Sequence, residues 1–510
     1  MSENVPTNPL RRCIDAWNRF WFSPADPTLL GFLRICTGLI VFYIHFAYTF
    51  DLEAMIGPDG WVNAQMLDRF RSEVPWNPRS WTAWDEVKER EQLRKQWLEE
   101  VYPNLSDEEK RAVNGFRNRW EGLVPHLAYS QGFYATSIWY FVQDPQAIWV
   151  VHIGILILMF LFTIGFCTRL TAVLTWLAAL SYLQRSPTVL FGMDTMTNFM
   201  LLYLAIGPSG AALSVDRLIQ RYWRTWSILR LQRKASEESS TKLTVLPLSN
   251  RPRPSVSANL ALRLIQINVC FVYFVAGLSK LQGTSWWNGT AIWGTMANPE
   301  FSPVHNHLFL NFMYFLVDHP WVWYLFMAGG VVFTLVFEIG FPTFIWLPPL
   351  RWTMIVSSIV LHTGIAAFMG LTTFSLIMVT AVLAFLPQEA LHRLLEKLGR
   401  GSGLFRLRFS TRERRHVRTA SLIHAVDPWK QIRLVPDAHE TDFDGTAKHH
   451  LELVDDNGTI YRGYALFERI CRSLRLLWPL ALLTWCPGVG SLGRKLFPET
   501  PEPEPQLSPR

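Results

Sequence analysis

Ionisable side chains fall inside or at the ends of long apolar runs, seven of them at depths that bear on chemistry: Arg34, His45, His152, Asp194, Lys280, Glu338 and His362. An ionisable group in such a place is costly, so it marks either chemistry or a packed pair. Lys280 draws most attention. It closes the run LALRLIQINVCFVYFVAGLSK, which contains one other charge, and leads into LQGTSWWNG. A run of this length can cross the roughly 30 Å hydrocarbon layer and carry an amine to its far side. There the amine could move protons, or it could snorkel toward headgroups beside the interfacial indoles of Trp286 and Trp287. Position alone leaves both readings open.

Depth sorts the other six. With the N-terminus inside, His45 falls in the outer half of the first run. His152 and Asp194 fall at the outer starts of the second and fourth, and Lys280 at the outer end of the fifth. His362 lies about 13 Å into the seventh at 1.5 Å per residue. These five are expected to line one outward-opening cavity. Arg34, near the inner leaflet, and Glu338, toward the inner side of the sixth run, are expected to act structurally, as an ion pair or as caps. His305 and His307 form an HxH pair with no third ligand at informative spacing, so no metal is expected.

The elements that must hold these residues are apolar runs at about 29–50, 147–167, 170–184, 195–213, 258–280, 321–346, 353–370 and 372–387, giving about eight transmembrane helices. Half of the 510 residues are hydrophobic and only 17% are charged, with 23 tryptophans. A soluble chain carries about 25% charged residues, so much of this one must meet a lipid bilayer. The net charge of +7 does not indicate nucleic acid, because the basic residues flank the apolar runs. Arg11, Arg12, Arg19, Arg169, the cluster from Arg217 to Lys234, Arg351, and Arg393 to Arg400 share one side if both termini are cytoplasmic, as the positive-inside rule requires. Residues 1–28 form the cytoplasmic N-terminus, with no cleavable signal recognised. A multi-pass protein of a bacterial cytoplasmic membrane is expected.

Between the runs, an insertion of about 51–146 lies outside, and its SDEE reads as a helix start. It is either a solvated helical hairpin or a lid. A cytoplasmic linker of about 214–257 follows the fourth run, with basic LRLQRK suited to anionic headgroups. The apolar segment LFLNFMYFLV is too short to span and is expected in the interface or re-entrant. Sequons occur at Asn104 and Asn288. Beyond 29–387, a linker of about 388–404 leads to a small domain at 405–498 and a Pro/Glu tail at 499–510. HLELVDD-NG-TIYRGY reads as a hairpin turning at Asn457-Gly458. Cys13, Cys36, Cys167, Cys270, Cys471 and Cys486 show neither CxxC spacing nor a disulfide framework.

Three segments carry a family resemblance: LLGFLRICTGLIVFYIHF with GPDGW; HIGILILMFLFTIGFCTRLTAVLTWLAAL through SPTVLFGMDTMTNFMLLYLAIGPSGAALSVDRL; and YFVAGLSKLQGTSWWNG through LHTGIAAFMGLTTFSL. Together, over about 26–387, they resemble the horizontally transferred transmembrane (HTTM) family, related to vitamin K-dependent gamma-glutamyl carboxylase. The resemblance implies carboxylation of glutamyl side chains of a protein or peptide, driven by reduced vitamin K or another quinol, with no metal. It implies Lys280 as the base and His362 as a second proton-transfer or positioning residue, with Tyr273, Trp286 and Trp287 around the cofactor. Lysine is a base only where its charged form is disfavoured, and an uncharged helix end beside two indoles is such a setting. Ser279 stands where the carboxylase has a first lysine, and Asp194 and Thr195 stand where it has a histidine. The competing reading is a non-enzymatic quinone- or lipid-binding or scaffolding protein. The domain at 405–498 resembles a DxxCxxC oxidoreductase-like domain without its cysteines. The expected fold is therefore an all-α polytopic membrane protein with a small α+β, degenerate thioredoxin-like C-terminal domain.

Overall fold

The structure is a computed structural model. It describes residues 9–58, 60–61, 96, 99–111, 137–185, 191–238, 252–298, 302–399, 405–411, 413–427, 431–436, 451–474, 477, 481 and 489–496. Most of the insertion at 51–146 and Cys486 lie outside these residues. Where SDEE is described, the expected helix start is present. The Ser106 N–H donates to Glu109 at 2.9 Å, and the Glu109 N–H reaches back to Ser106 Oγ at 3.4 Å.

The chain divides into two compact units. The first holds residues 1–24, 32–209 and 256–385. Its helices are α1 (Pro9–Phe22), most of α2 (Thr28–Ala47), α3 (Pro145–Ile164), α4 (Thr168–Arg185) and α5 (Gly192–Ile206). After the second unit's α6 (Val215–Glu238) come α7 (Val256–Lys280), the short α8 (Ala291–Met296), α9 (His307–Asp318), α10 (Pro320–Phe344), α11 (Pro348–Met369) and α12 (Thr372–Val382). Local chemistry sets their ends. The Asp144 carboxylate accepts from the Ala147 N–H at 2.9 Å, Pro145 fits the first turn of α3, and Gly165 closes it at φ +73°. Prolines likewise open α10 and α11, and Gly370 at φ +68° ends α11.

Every expected run contains a helix, but the described helices do not make eight equal spans. Five are long and apolar enough to cross a membrane, or six if residues 372–385 and 388–398 count as one broken span. The three that fall short have plain reasons. α5 has 15 residues and α12 has 11, below the roughly 20 a span requires. α4 has 18 but carries Arg169, Arg185 and several hydroxyls. The segment LFLNFMYFLV forms α9, which packs Phe309 and Leu316 against Met296 and Met327.

The second unit holds residues 25–31, 210–255 and 386–510. Two stretches read as linkers carry helices here: α6 within 214–257, and α13 (Gln388–Gly399) within 388–404. Asp26 ties α13 to the start of α2, accepting from His392 Nε2 at 2.9 Å. The C-terminal part is a mixed sheet of β1 (Phe405–Phe409), β2 (Ile432–Pro436), β3 (Glu452–Val454) and β4 (Ile460–Tyr461) in the order β2-β1-β3-β4. β1 and β2 run parallel, linked through α14 (Arg414–Val426). β3 is antiparallel to both β1 and β4. Alternation along β1 sends Phe405, Leu407 and Phe409 into the core, where they meet Val417, Ala420 and Ile423 of α14 and Leu466 and Ile470 of α15 (Gly463–Ser473). The hairpin turns where expected: Gly458 takes φ +82°, and Asp455 accepts from the Asn457 and Thr459 N–H groups.

Helix α14 also packs on α6. Arg221 donates to the His424 carbonyl at 3.0 Å, and Arg418 lies 4.1 Å over the Trp226 ring. At the end of α14, the buried Asp427 accepts from the Ile432 N–H at 2.8 Å. Burial pushes its carboxyl above the usual range, opposed by its backbone hydrogen bonds and by the nearby His424 and Arg221. A carboxyl raised on folding stabilises the fold below its unfolded value and loses that contribution as pH rises through the folded value. Asp427→Asn keeps an acceptor for Ile432 without the titration. Thermal unfolding of the full chain in detergent between acidic and neutral pH should therefore be flatter for Asp427→Asn than for the wild type. Parallel curves would contradict the assignment.

Candidate functional site

The site grows from the contact between α7 and α10. Tyr273 lies edge-on to Phe337 at 5.1 Å and tilted against Phe341 at 4.5 Å between ring centroids. One turn further along α7, Gly277 lets the two helices close. A Cβ there would stand 2.8 Å from Ile339 Cγ1, 3.2 Å from Glu338 Cβ and 3.2 Å from the Ile339 nitrogen. That approach brings Lys280 onto Glu338. Lys280 Nζ donates to Oε1 at 3.0 Å and lies 2.8 Å from Oε2, with the lysine side chain 26% exposed and the glutamate 7%. The Trp286 ring sits 5.5 Å from the same nitrogen.

Arg34 and Glu338, expected as an ion pair or as caps, do not pair with each other: the buried Arg34 donates through Nη1 to the Ser209 carbonyl at 2.9 Å. The cation that meets Glu338 is Lys280, at the end of α7. Glu338 lies about 27 Å along α10 from Pro320 at 1.5 Å per residue, and the ammonium is held beside that stretch. The physical reason is the cost of a carboxylate deep in an apolar helix, which a cation within reach offsets.

Beneath the pair lies a second polar group. Tyr273 Oη is 2.8 Å from His362 Nε2 and 2.8 Å from Ser358 Oγ. A phenol has one proton to give. Either the serine donates to the tyrosine and the tyrosine to the histidine, or the order runs the other way. In both tautomers His362 Nδ1 is a buried polar atom with no hydrogen-bond partner. Lys280 is close enough to act electrostatically on His362. Tyr273 is fully engaged: its hydroxyl belongs to Ser358 and His362, and its ring is buried. It positions His362. Of the two tryptophans, Trp286 meets Lys280, whereas Trp287 is exposed and donates to the Leu281 carbonyl at 2.8 Å.

His45, His152 and Asp194 gather elsewhere in the first unit, so among the described residues the expected five are not brought around one cavity. His152 bridges Thr49 Oγ1 at 2.9 Å and Tyr182 Oη at 2.6 Å. His45 bonds its own helix, Nδ1 to the Val41 carbonyl at 2.8 Å, and packs edge-on to Tyr182. Asp194 accepts from the Phe191 N–H at 2.8 Å and so helps start α5. A cavity of about 70 Å3 is lined by His45, Tyr48, Tyr182, Asp194, Thr197 and Asn198, among others; Lys280 and His362 do not line it. Room for one water needs about 10–15 Å3, so this space holds a few waters. His305 and His307 are exposed. Among the described residues no group of three or more His, Cys, Asp or Glu side chains is arranged around a metal position.

The partners of the site residues were harder to read from sequence than the residues themselves. Ser358 had a signal, since it precedes His362 by four and so shares its helix face. Glu338 had one too, because a buried carboxylate demands a cation. Thr49 and Tyr182 had none. Of the polar groups gathered here, the part-exposed Lys280 amine and His362 Nδ1 keep hydrogen-bonding capacity, whereas the one Tyr273 proton is committed to Ser358 or His362. Comparison with protein-family models, with curated proteins and with solved structures gives no match.

Removing one partner of a buried ion pair costs about 3–5 kcal/mol because the other charge is stranded. Glu338→Gln and Lys280→Met should each lower the stability of the purified chain by this order. The double variant should recover most of the loss. Two near-neutral single variants would show that the pair does not hold α7 to α10.

Proposed function

We propose that the chain is a membrane-embedded proton-transfer enzyme of the quinol-dependent carboxylase type, acting on glutamyl side chains, with Lys280 as base. The supporting observation is the Lys280–Glu338 pair set beside His362, whose Nδ1 has no partner. A bound quinol would supply the reducing power and the acidic hydroxyl. The chain's own residues handle protons. Lys280 as an ammonium cannot accept one. Transfer of its proton to Glu338 leaves a neutral amine beside a neutral acid, which is the form a base requires. Glu338 thereby becomes the proton's temporary holder, a role that a lysine at an open surface would lack. Tyr273 and Ser358 fix the His362 ring, so that Nδ1 faces a constant direction. Trp286 covers one side of the amine and limits water there.

The second reading is a quinone- or lipid-binding protein without turnover. It is favoured by the same ion pair, in which Nζ donates to Oε1 and stands 2.8 Å from Oε2, and which would serve as a pin between α7 and α10. The small domain supports a thioredoxin-like reading through its parallel β1-α14-β2 unit joined to an antiparallel β3-β4 hairpin. Its Cys471 is fully buried, and burial followed by the Glu468 charge pushes the thiol up, away from the reactive thiolate.

Lys280→Arg separates the two readings. Guanidinium stays protonated, so it can keep the ion pair but cannot act as a base. Oxygen consumption with reduced quinone in proteoliposomes, together with mass spectrometry of a co-expressed glutamate-rich peptide for an added carboxyl group, should be abolished in Lys280→Arg and Lys280→Ala. Thermal stability of the arginine variant should stay near wild type. Full turnover in Lys280→Arg would overturn the base assignment.

A further inference from the structure

Helix α1 has no buried residue, yet it is not polar all round. Leu10, Ile14 and Trp17 recur at i, i+4 and i+7 and are exposed at 67%, 48% and 62%. Trp21 extends the same stripe, its ring 5.7 Å from that of Trp17. Arg12, Asp15 and Arg19 fall on the opposite face at 100° per residue, with Arg11 on the flank.

The end of this helix is pinned at a defined level. Asn259 Nδ2 donates to the Phe20 and Trp21 carbonyls at 2.7 and 3.0 Å, and Arg263 Nε donates to the Phe20 carbonyl at 3.2 Å. The Arg263 guanidinium lies 4.3 Å over the Phe20 ring and 5.4 Å from that of Trp346. Both donors sit in the first turns of α7, one of the helices long enough to span. The carbonyls that α1 would otherwise leave open at its C-terminus are thus met by side chains from the first turns of α7.

From this we infer that α1 lies in the membrane surface as an anionic-lipid-binding helix, with Leu10, Ile14 and Trp17 inserted among acyl chains and the arginines among phosphates. Its occupant is the leaflet that α7 enters. Three arginines against one aspartate select anionic over zwitterionic headgroups. The exposed indole and aliphatic side chains are of the kind that interfacial helices bury, and fixing the C-terminal end keeps the stripe at the depth where both faces find their medium.

Spin labels test it in the full-length chain with its native cysteines replaced. Leu10→Cys, Ile14→Cys, Trp17→Cys, Arg12→Cys, Asp15→Cys and Arg19→Cys are labelled singly and reconstituted in nanodiscs of phosphatidylcholine with or without phosphatidylglycerol. Labels at 10, 14 and 17 should show severalfold higher accessibility to oxygen than to a water-soluble nickel complex, and those at 12, 15 and 19 the reverse. The contrast should grow with phosphatidylglycerol and shrink when Arg11, Arg12 and Arg19 become glutamine. Uniform nickel accessibility at all six positions would overturn the inference. Shielding of 10, 14 and 17 from both reagents would do so too, since it would mean a protein partner or a second copy covers the stripe. Identical contrast in both lipid mixtures would overturn the anionic selectivity.

Discussion

An ion pair inside an apolar bundle constrains everything around it. A lone carboxylate at Glu338, whose side chain is 7% exposed, would be stranded in a medium that does not solvate it. The pair forms only if two helix backbones come close, and Gly277 is where they do: any side chain there would strike Ile339 and the β-carbon of Glu338. The aromatic contacts of Tyr273 with Phe337 and Phe341 lie one turn back along the same seam. Tyr273 in turn reaches His362 on α11. Electrostatic need, close packing and the orientation of a histidine on a third helix are therefore one connected arrangement.

Sequence reading went furthest where a single element decides the matter. Apolar runs, the SDEE helix start and the hairpin turning at Asn457-Gly458 are local, and helices or strands stand at each. Lys280 and His362 were legible for the same reason: a titratable residue in an apolar run stands out without knowledge of its neighbours. What failed was pairing. Arg34 and Glu338 seemed matched by charge and depth, but pairing depends on which helix faces which, and Arg34 turns to a backbone carbonyl. The expected common cavity failed in the same way, because depth is one coordinate and a cavity needs three. The helices in the stretches at 214–257 and 388–404 were hidden by charge. α6 and α13 are rich in arginine, lysine and glutamate, and a charged stretch between apolar runs looks like a linker until its own periodicity is followed.

The second unit adds to its carboxylate pairs, such as Arg462 with Glu452, contacts of another kind. It places Arg418 over Trp226 and lets Arg221 donate to the His424 carbonyl. Guanidinium is weakly hydrated and stacks on aromatic faces, which suits it to such a surface. Asp427 receives its stabilisation mainly from backbone N–H groups. Such contacts tolerate changes in ionic strength better than exposed ion pairs, which suits a surface between a charged helix and a small sheet.

Pairing with Glu338 also bears on whether Lys280 can do chemistry at all. An unpaired lysine in an apolar setting would be a ready base but a poorly placed one, free to follow its long stem toward water. A paired lysine is well placed but protonated. The two demands are reconciled if the carboxylate that fixes the amine is also the group that relieves it of its proton. Placement and reactivity then alternate with the position of one hydrogen along a contact of about 3 Å. On this account, Glu338 is as necessary to base chemistry as Lys280 is. Replacing it with glutamine would keep a hydrogen-bond acceptor for the ammonium but remove the carboxylate that, among the described residues, is in contact with it and basic enough to take its proton.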